Sequence, residues 1–239
     1  MTQGLGHVGP QLDELAGDAL SGLGRHEEAA VAYERVAEGP EIEIGDLSRI
    51  TIKLAWVLSR LGRIADAEHR ADRVLALAPH DCALLRFMGE LLQTHGDDAR
   101  ARHYMAREIE SLNRAMSDDA PEPGNEDQTK IRLAMLYNRT HRFDEAHKLM
   151  SPMVARDPMT WKAHEVAADT LIGLGRPGEA IGHLQAAIQK SWSREASPLL
   201  KIARLQLEAG DLMQAEHNVR RCLDLAPDHG PAHEALATY

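Results

Sequence analysis

The sequence predicts an all-α chain built from about six tandem helix-turn-helix units that stack into a solenoid, and three observations predict it. Alanine recurs at Ala29, Ala67, Ala101, Ala146, Ala180 and Ala215, spaced 38, 34, 45, 34 and 35 residues apart. A fixed period of this size marks a repeat architecture, in which each unit buries its apolar face against the next. Two further columns keep step with the alanines. A small residue lies twelve positions before each (Gly17, Ala55, Gly89, Ala134, Ala168, Ala203), and Gly24, Gly62, Gly96, His141, Gly175 or Gly210 lies five positions before. Finally, aromatic residues make up only 4% of the 239, although 44% are hydrophobic. So long a chain with so few rings fills its interior with Ala, Leu, Val and Met packed between closely approaching helices.

Each column has a physical reason. Small side chains let two helix backbones approach where a larger one would clash. Glycine five positions earlier ends the first helix of each pair, because a left-handed residue there satisfies the last carbonyls without a Cβ penalty. Histidine in the fourth copy is one of the residue types enriched in that conformation. The copies then follow in order over residues 10–43, 48–81, 82–115, 127–160, 161–194 and 196–229. Pro79, Pro158 and Pro227 close three of them, and LALAP at 75–79 is nearly repeated as LDLAP at 223–227. The third copy ends in Asn113 instead of proline and carries Glu108 in an apolar column, so its second helix is expected to run on or fray.

Two insertions break the period. Four residues around GPEIEIGD at 39–46 lengthen the loop between copies one and two. Eleven more fall within AMSDDAPEPGNEDQ at 115–128, where Pro121, Pro123 and Gly124 forbid a continuous helix. An acidic, solvated inter-repeat loop is expected over 116–126, within one continuous solenoid over 1–239. Residues 230–239 begin a seventh copy, either a cap on the sixth or the start of further repeats.

With these columns in place the chain resembles the tetratricopeptide repeat (TPR) family over most of its length: the small-residue, turn-glycine, alanine and proline positions match, while the family's aromatic columns keep only Tyr33 and Tyr137. The resemblance implies a right-handed superhelix whose first helices line a concave groove, in which extended peptides of partner proteins lie. It also implies an interaction protein of the cytoplasm, of a bacterial type, rather than an enzyme.

Projected onto that groove, copies two to four offer six basic residues against one acidic, whereas the whole chain holds 27 basic against 37 acidic. Arg49, Lys53, Trp56 and Arg60 share one helix face at steps of 4, 3 and 4. An indole flanked by cations suits a carboxylate-bearing peptide. Arg86 follows in copy three, and Arg132, Asn138 and Arg139 in copy four, with Asn138 suited to a peptide backbone. These eight residues are the expected peptide-binding groove, and an acidic segment is the expected partner. The chaperone-tail clamp of some family members is not in register, since Ile52, Trp56, Ile131 and Met135 occupy its positions. The pairs Glu14/Asp18 and Glu165/Asp169, each four apart, read as solvated helix-surface carboxylates.

Other classes are disfavoured. Two cysteines make neither a disulfide scaffold nor a cysteine zinc cluster. A net charge of −10 disfavours nucleic acid. No apolar run approaches the roughly 20 residues that span a bilayer, and MTQGLGHVGP lacks the plan of a secretory signal. No nucleophile elbow, phosphate loop or zincin motif occurs. The 13 histidines are scattered, mostly outward or in loops, and only His229 and His233 share a helix face. No cofactor, metal or catalytic residue is therefore expected. Two other readings are a regulatory arm of a longer enzyme of sulfotransferase or hydroxylase type, and a scaffold that self-assembles into homo-oligomers through its terminal repeats.

Overall fold

The computed structural model describes residues 9–40, 42–117, 126–156, 160–190 and 196–237, and among these it contains 13 α-helices and no strand. The chain divides into two compact units, Met1–Ser117 and Asp118–Tyr239.

The first unit holds three helix pairs: α1 (Pro10–Gly22) with α2 (His26–Ala37), α3 (Ile44–Arg60) with α4 (Ile64–Leu77), and α5 (Cys82–Thr94) with α6 (Asp98–Ser117). The second holds α7 (Glu126–Arg139) with α8 (Phe143–Ala155), α9 (Trp161–Gly173) with α10 (Pro177–Lys190), α11 (Ala196–Glu208) with α12 (Leu212–Leu225), and the short α13 (Gly230–Leu236).

All six turns inside the pairs close in one way. Gly24, Gly62, Gly96, Gly175 and Gly210 have φ between 71 and 81°, and His141 has φ 58°. The next residue's N–H returns to the carbonyl five residues back, as in Arg25 to Leu20 (2.9 Å) and Arg142 to Tyr137 (2.8 Å). This left-handed closure satisfies carbonyls that the helix end leaves open. Both small-residue columns are buried, with every alanine in them at most 1% exposed. At Gly17 the fit is absolute, because a Cβ there would lie 2.6 Å from the Tyr33 ring.

The core is layered, each layer borrowing from its neighbour. Ala168, Leu171, Ala180 and Leu184 of one pair enclose Ile202 and Leu205 of the next. Leu199, Leu200, Ala203, Val219 and Cys222 form the following layer, completed by the fully buried Ala232 of α13. The seventh-copy segment thus covers the sixth copy, while its last two residues, 238–239, lie outside the described residues.

Several boundaries differ from expectation. Helix α3 begins at Ile44, four residues early, behind an extended Glu43. Asp46 then lies in the first turn, where the helix dipole favours an anion, and accepts a 2.8 Å hydrogen bond from Arg49. Helix α6 runs on for 20 residues to Ser117. No proline stops it, and its buried face continues through Ile109 and Leu112. Of the acidic loop expected over 116–126, residues 116–117 therefore belong to α6 and Glu126 opens α7. The remainder, 118–125, lies outside the described residues, as does Pro158. No described helix is long and apolar enough to cross a membrane.

Candidate functional site

The first helix of each pair carries the expected groove residues, and the structure gives them unequal roles. In the first unit, Arg49 bonds Glu14 and Asp46. Lys53 sits between two carboxylates of α1: its Nζ is 2.8 Å from Glu14 Oε1 and 2.7 Å from Asp18 Oδ1. Tyr33 donates a 2.7 Å hydrogen bond to the same Asp18 oxygen. Burial works against the Lys53 ammonium, but its bonds to Asp18 and Glu14 outweigh that and raise its pKa. The hydrogen bond from Arg49 holds the Glu14 carboxyl below its usual range. Two cations expected to meet a partner are thus paired within the fold.

An equivalent constellation recurs in the second unit. Lys201 of α11 lies 2.9 Å from Glu165 Oε1 and 2.7 Å from Asp169 Oδ1, both on α9. Ser197 donates to Glu165 Oε1 at 2.7 Å, and Lys162 donates to its other oxygen at 2.6 Å. In repeat numbering both triads are one: acids at positions five and nine of a copy, lysine at position six of the next. The lysine follows the acids by 39 and 35 residues in the first case and by 36 and 32 in the second. The constant difference of three arises because copies one and two start 38 apart and copies five and six 35 apart. This corrects the reading of these carboxylates as solvated surface groups. Glu165 is only 3% exposed. Burial opposes its charge, but the bonds from Lys162 and Lys201 outweigh it and hold the carboxyl down to about 2. Asp169 moves the other way: burial raises its pKa by more than the Lys201 ammonium lowers it, and the Glu165 charge adds to the rise.

The remaining expected residues separate further. Trp56 is 42% exposed, its ring edge-on to His26 at 5.7 Å between centroids. Arg60, one turn on, is exposed. On α5, which packs against α3, Arg86 is half exposed and its Nε lies 3.4 Å from the buried Glu108. That contact answers the acidic residue found in an apolar column. In the second unit Arg132 and Arg139 are partly exposed on α7. Asn138 is turned inward: its amide donates to Val166 O (3.2 Å) and accepts from the buried Thr170 hydroxyl (3.0 Å), tying α7 to α9.

Sequence reasoning placed most histidines outside. His164 is instead 5% exposed, with its Nδ1 3.2 Å from that of His183, whose pKa burial lowers. No group of three or more potential metal ligands forms among the described residues. Cys222 is buried in the last core layer. Only the inter-copy arithmetic carries a signal for the triads, since an acid pair and a lysine must be compared across a full repeat.

A family model described as tetratricopeptide repeat matches residues 52–119 and 131–195. Among solved structures, a tetratricopeptide repeat protein from Parabacteroides merdae aligns with a TM-score of 0.65 at 16% identity, covering 98% of this chain and 85% of that one. PilW, a type IV pilus biogenesis factor, aligns with a TM-score of 0.65 at 13% identity over 95% of this chain and 98% of its own. YrrB, described as a TPR protein with an unusual peptide-binding site, aligns with a TM-score of 0.51 at 14% identity over 86% and 98%. At these identities the likeness is one of fold. No curated protein matches.

Proposed function

Because the chain belongs to the tetratricopeptide repeat family, whose repeats serve as protein–protein interaction scaffolds, we propose that its first unit holds an extended, acidic segment of a partner protein along α3 and α5. The observation that carries this reading is the exposed Trp56 with Arg60 one helical turn away and Arg86 on the neighbouring helix. A large ring that costs little entropy to fix, flanked by guanidinium groups, is the kind of contact on which binding energy concentrates. Arg49 and Lys53 contribute by setting the spacing of α1 and α3 rather than by meeting the partner. Arg132 and Arg139 offer cations of the same kind on the first helix of copy four.

Calorimetric titration with two acetylated decapeptides, one alternating Asp with Leu and one with Asn at each Asp position, tests the reading. The acidic peptide is expected to bind more tightly. Trp56→Ala is expected to weaken it roughly 30-fold, as for a central aromatic contact worth about 2 kcal/mol, and Arg60→Glu, at an exposed position, to abolish the acidic preference. Equal affinity for both peptides, unchanged by either substitution, overturns the proposal.

A further inference from the structure

The second unit contains a cleft of about 500 Å³, bounded by α10, α11 and α12. This is within the range of ligand pockets. Side-chain carboxamides dominate it. Helix α10 presents Gln185 and Gln189, four residues apart; helix α12 presents Gln214 and Asn218, also four apart; and Gln206 rises from α11 between them. Ile188 and Ile202 supply an apolar floor. None of the lining residues is acidic, although acidic residues outnumber basic ones by 37 to 27 in the chain, and Arg221 stands one turn beyond Asn218 at the end of the α12 row.

One carboxamide pair is fixed within the cleft wall. Asn218 is 8% exposed, and its amide donates to Gln206 Oε1 at 2.8 Å. Gln185, Gln189 and Gln214 are exposed, so their amides face the cleft without serving the core. Spacing supplies the fit. Residues four apart on a helix rise about 6 Å, and an extended peptide repeats every two residues over roughly 6.6 Å. A carboxamide, with one acceptor oxygen and two donor hydrogens, answers either edge of a peptide group. Two rows at that spacing therefore read backbone rather than side chains, and the cation at one end reads a negative charge.

We propose that this cleft binds a short extended peptide with its terminal carboxylate at Arg221, a site formed largely by second helices of their repeats and separate from the Trp56 face of α3 and α5. The probe is acetyl-tetra-alanine with a free carboxylate, titrated into the isotope-labelled full chain and followed by amide NMR shifts, beside its C-terminal carboxamide form and succinate. Saturable shifts are expected at Gln185, Gln189 and Gln214, in the millimolar range. The carboxamide form is expected to bind about tenfold more weakly, matching the worth of one charge-assisted hydrogen bond. Arg221→Gln should erase that difference, and Gln189→Leu with Gln214→Leu, both at exposed positions, should weaken both peptides at least fivefold. Succinate binding as well as the tetrapeptide would reduce the cleft to an anion site and overturn the proposal. Shifts confined to α3 and α5, or none at 10-fold the expected concentration, would overturn it as well while leaving the Trp56 reading untouched.

Discussion

Replacing Lys201 with Met tests whether one ion triad has different worth in two settings. The substitution removes the ammonium shared by Glu165 and Asp169 while keeping the length of the aliphatic stem. Removing one partner of a buried ion pair typically costs about 3–5 kcal/mol, because the other charge is left desolvated. Two features reduce that here: Lys162 still bonds Glu165, and the Asp169 side chain is 38% exposed. The expected cost is therefore about 2–3 kcal/mol. Lys53→Met removes the equivalent ammonium, but the carboxylates it leaves are more exposed, 18% at Glu14 and 44% at Asp18, and Arg49 remains on Glu14. Its cost should stay below about 1 kcal/mol, as for exposed pairs. Stacked repeats open locally, so native-state amide hydrogen exchange is the suitable assay. At 1.4 kcal/mol per factor of ten, Lys201→Met should speed exchange across α11 and α12 roughly 30- to 150-fold, and Lys53→Met should speed α1 and α2 less than about fivefold. Adding Glu165→Gln to Lys201→Met should return part of the loss, since a neutral amide replaces the more buried of the two carboxylates that the ammonium held. Equal effects from the two lysines, or no recovery with Glu165→Gln, would refute the burial argument.

Gly17→Ala and Gly89→Ala fill the same column with opposite results. At Gly17 the new methyl meets a Tyr33 ring that is 2% exposed and anchored through its hydroxyl to Asp18, so a loss of about 1–3 kcal/mol is expected. At Gly89 the nearest atom is 3.5 Å away, and helix propensity should raise stability by up to about 1 kcal/mol; thermal unfolding of the two variants checks the signs. Acid should weaken the second unit through Glu165. The folded carboxyl ionises near 2 and the unfolded one near its ordinary 4.5, so the contribution is complete above about pH 5 and drains as pH falls from 4.5 toward 2. That difference corresponds to about 3 kcal/mol, partly offset by the raised Asp169. Urea midpoints of the native chain and of Glu165→Gln between pH 7 and pH 3 should converge on acidification, and parallel curves would contradict it.

The repeat was legible because its marks are local. A glycine with positive φ or an alanine under a crossing helix is required by the geometry of one hairpin and recurs in each. His141 could be read in the same column for that reason, and it adopts the left-handed turn found at the five glycines. The charges were not legible, because whether a side chain is solvated depends on the neighbouring repeat. Glu165 has the spacing of a surface residue on its own helix, and only the arrival of Ser197 and Lys201 from the next copy encloses it. Asn138 looked like an amide offered to a partner for the same reason, yet Val166 and Thr170 of α9, the first helix of the next copy, claim both its ends. Helix limits were misplaced where side chains override the average pattern: Asp46 and Arg49 brace an early start for α3, and a buried stripe carries α6 past Asn113.

The recurring acid–lysine triad bears on how such a chain avoids assembling itself wrongly. Tandem copies with nearly interchangeable alanine and leucine surfaces risk docking one module on another's neighbour. An acid pair at positions five and nine occurs in copies one and five, and a lysine at position six in copies two and six. A shuffled order would set Glu14 and Asp18 against Phe87, or Glu165 and Asp169 against Leu15, stranding two negative charges beside a hydrocarbon. The apolar columns make every module stick, and the triads narrow the partners an acid-bearing module can accept to those that bring a lysine at position six.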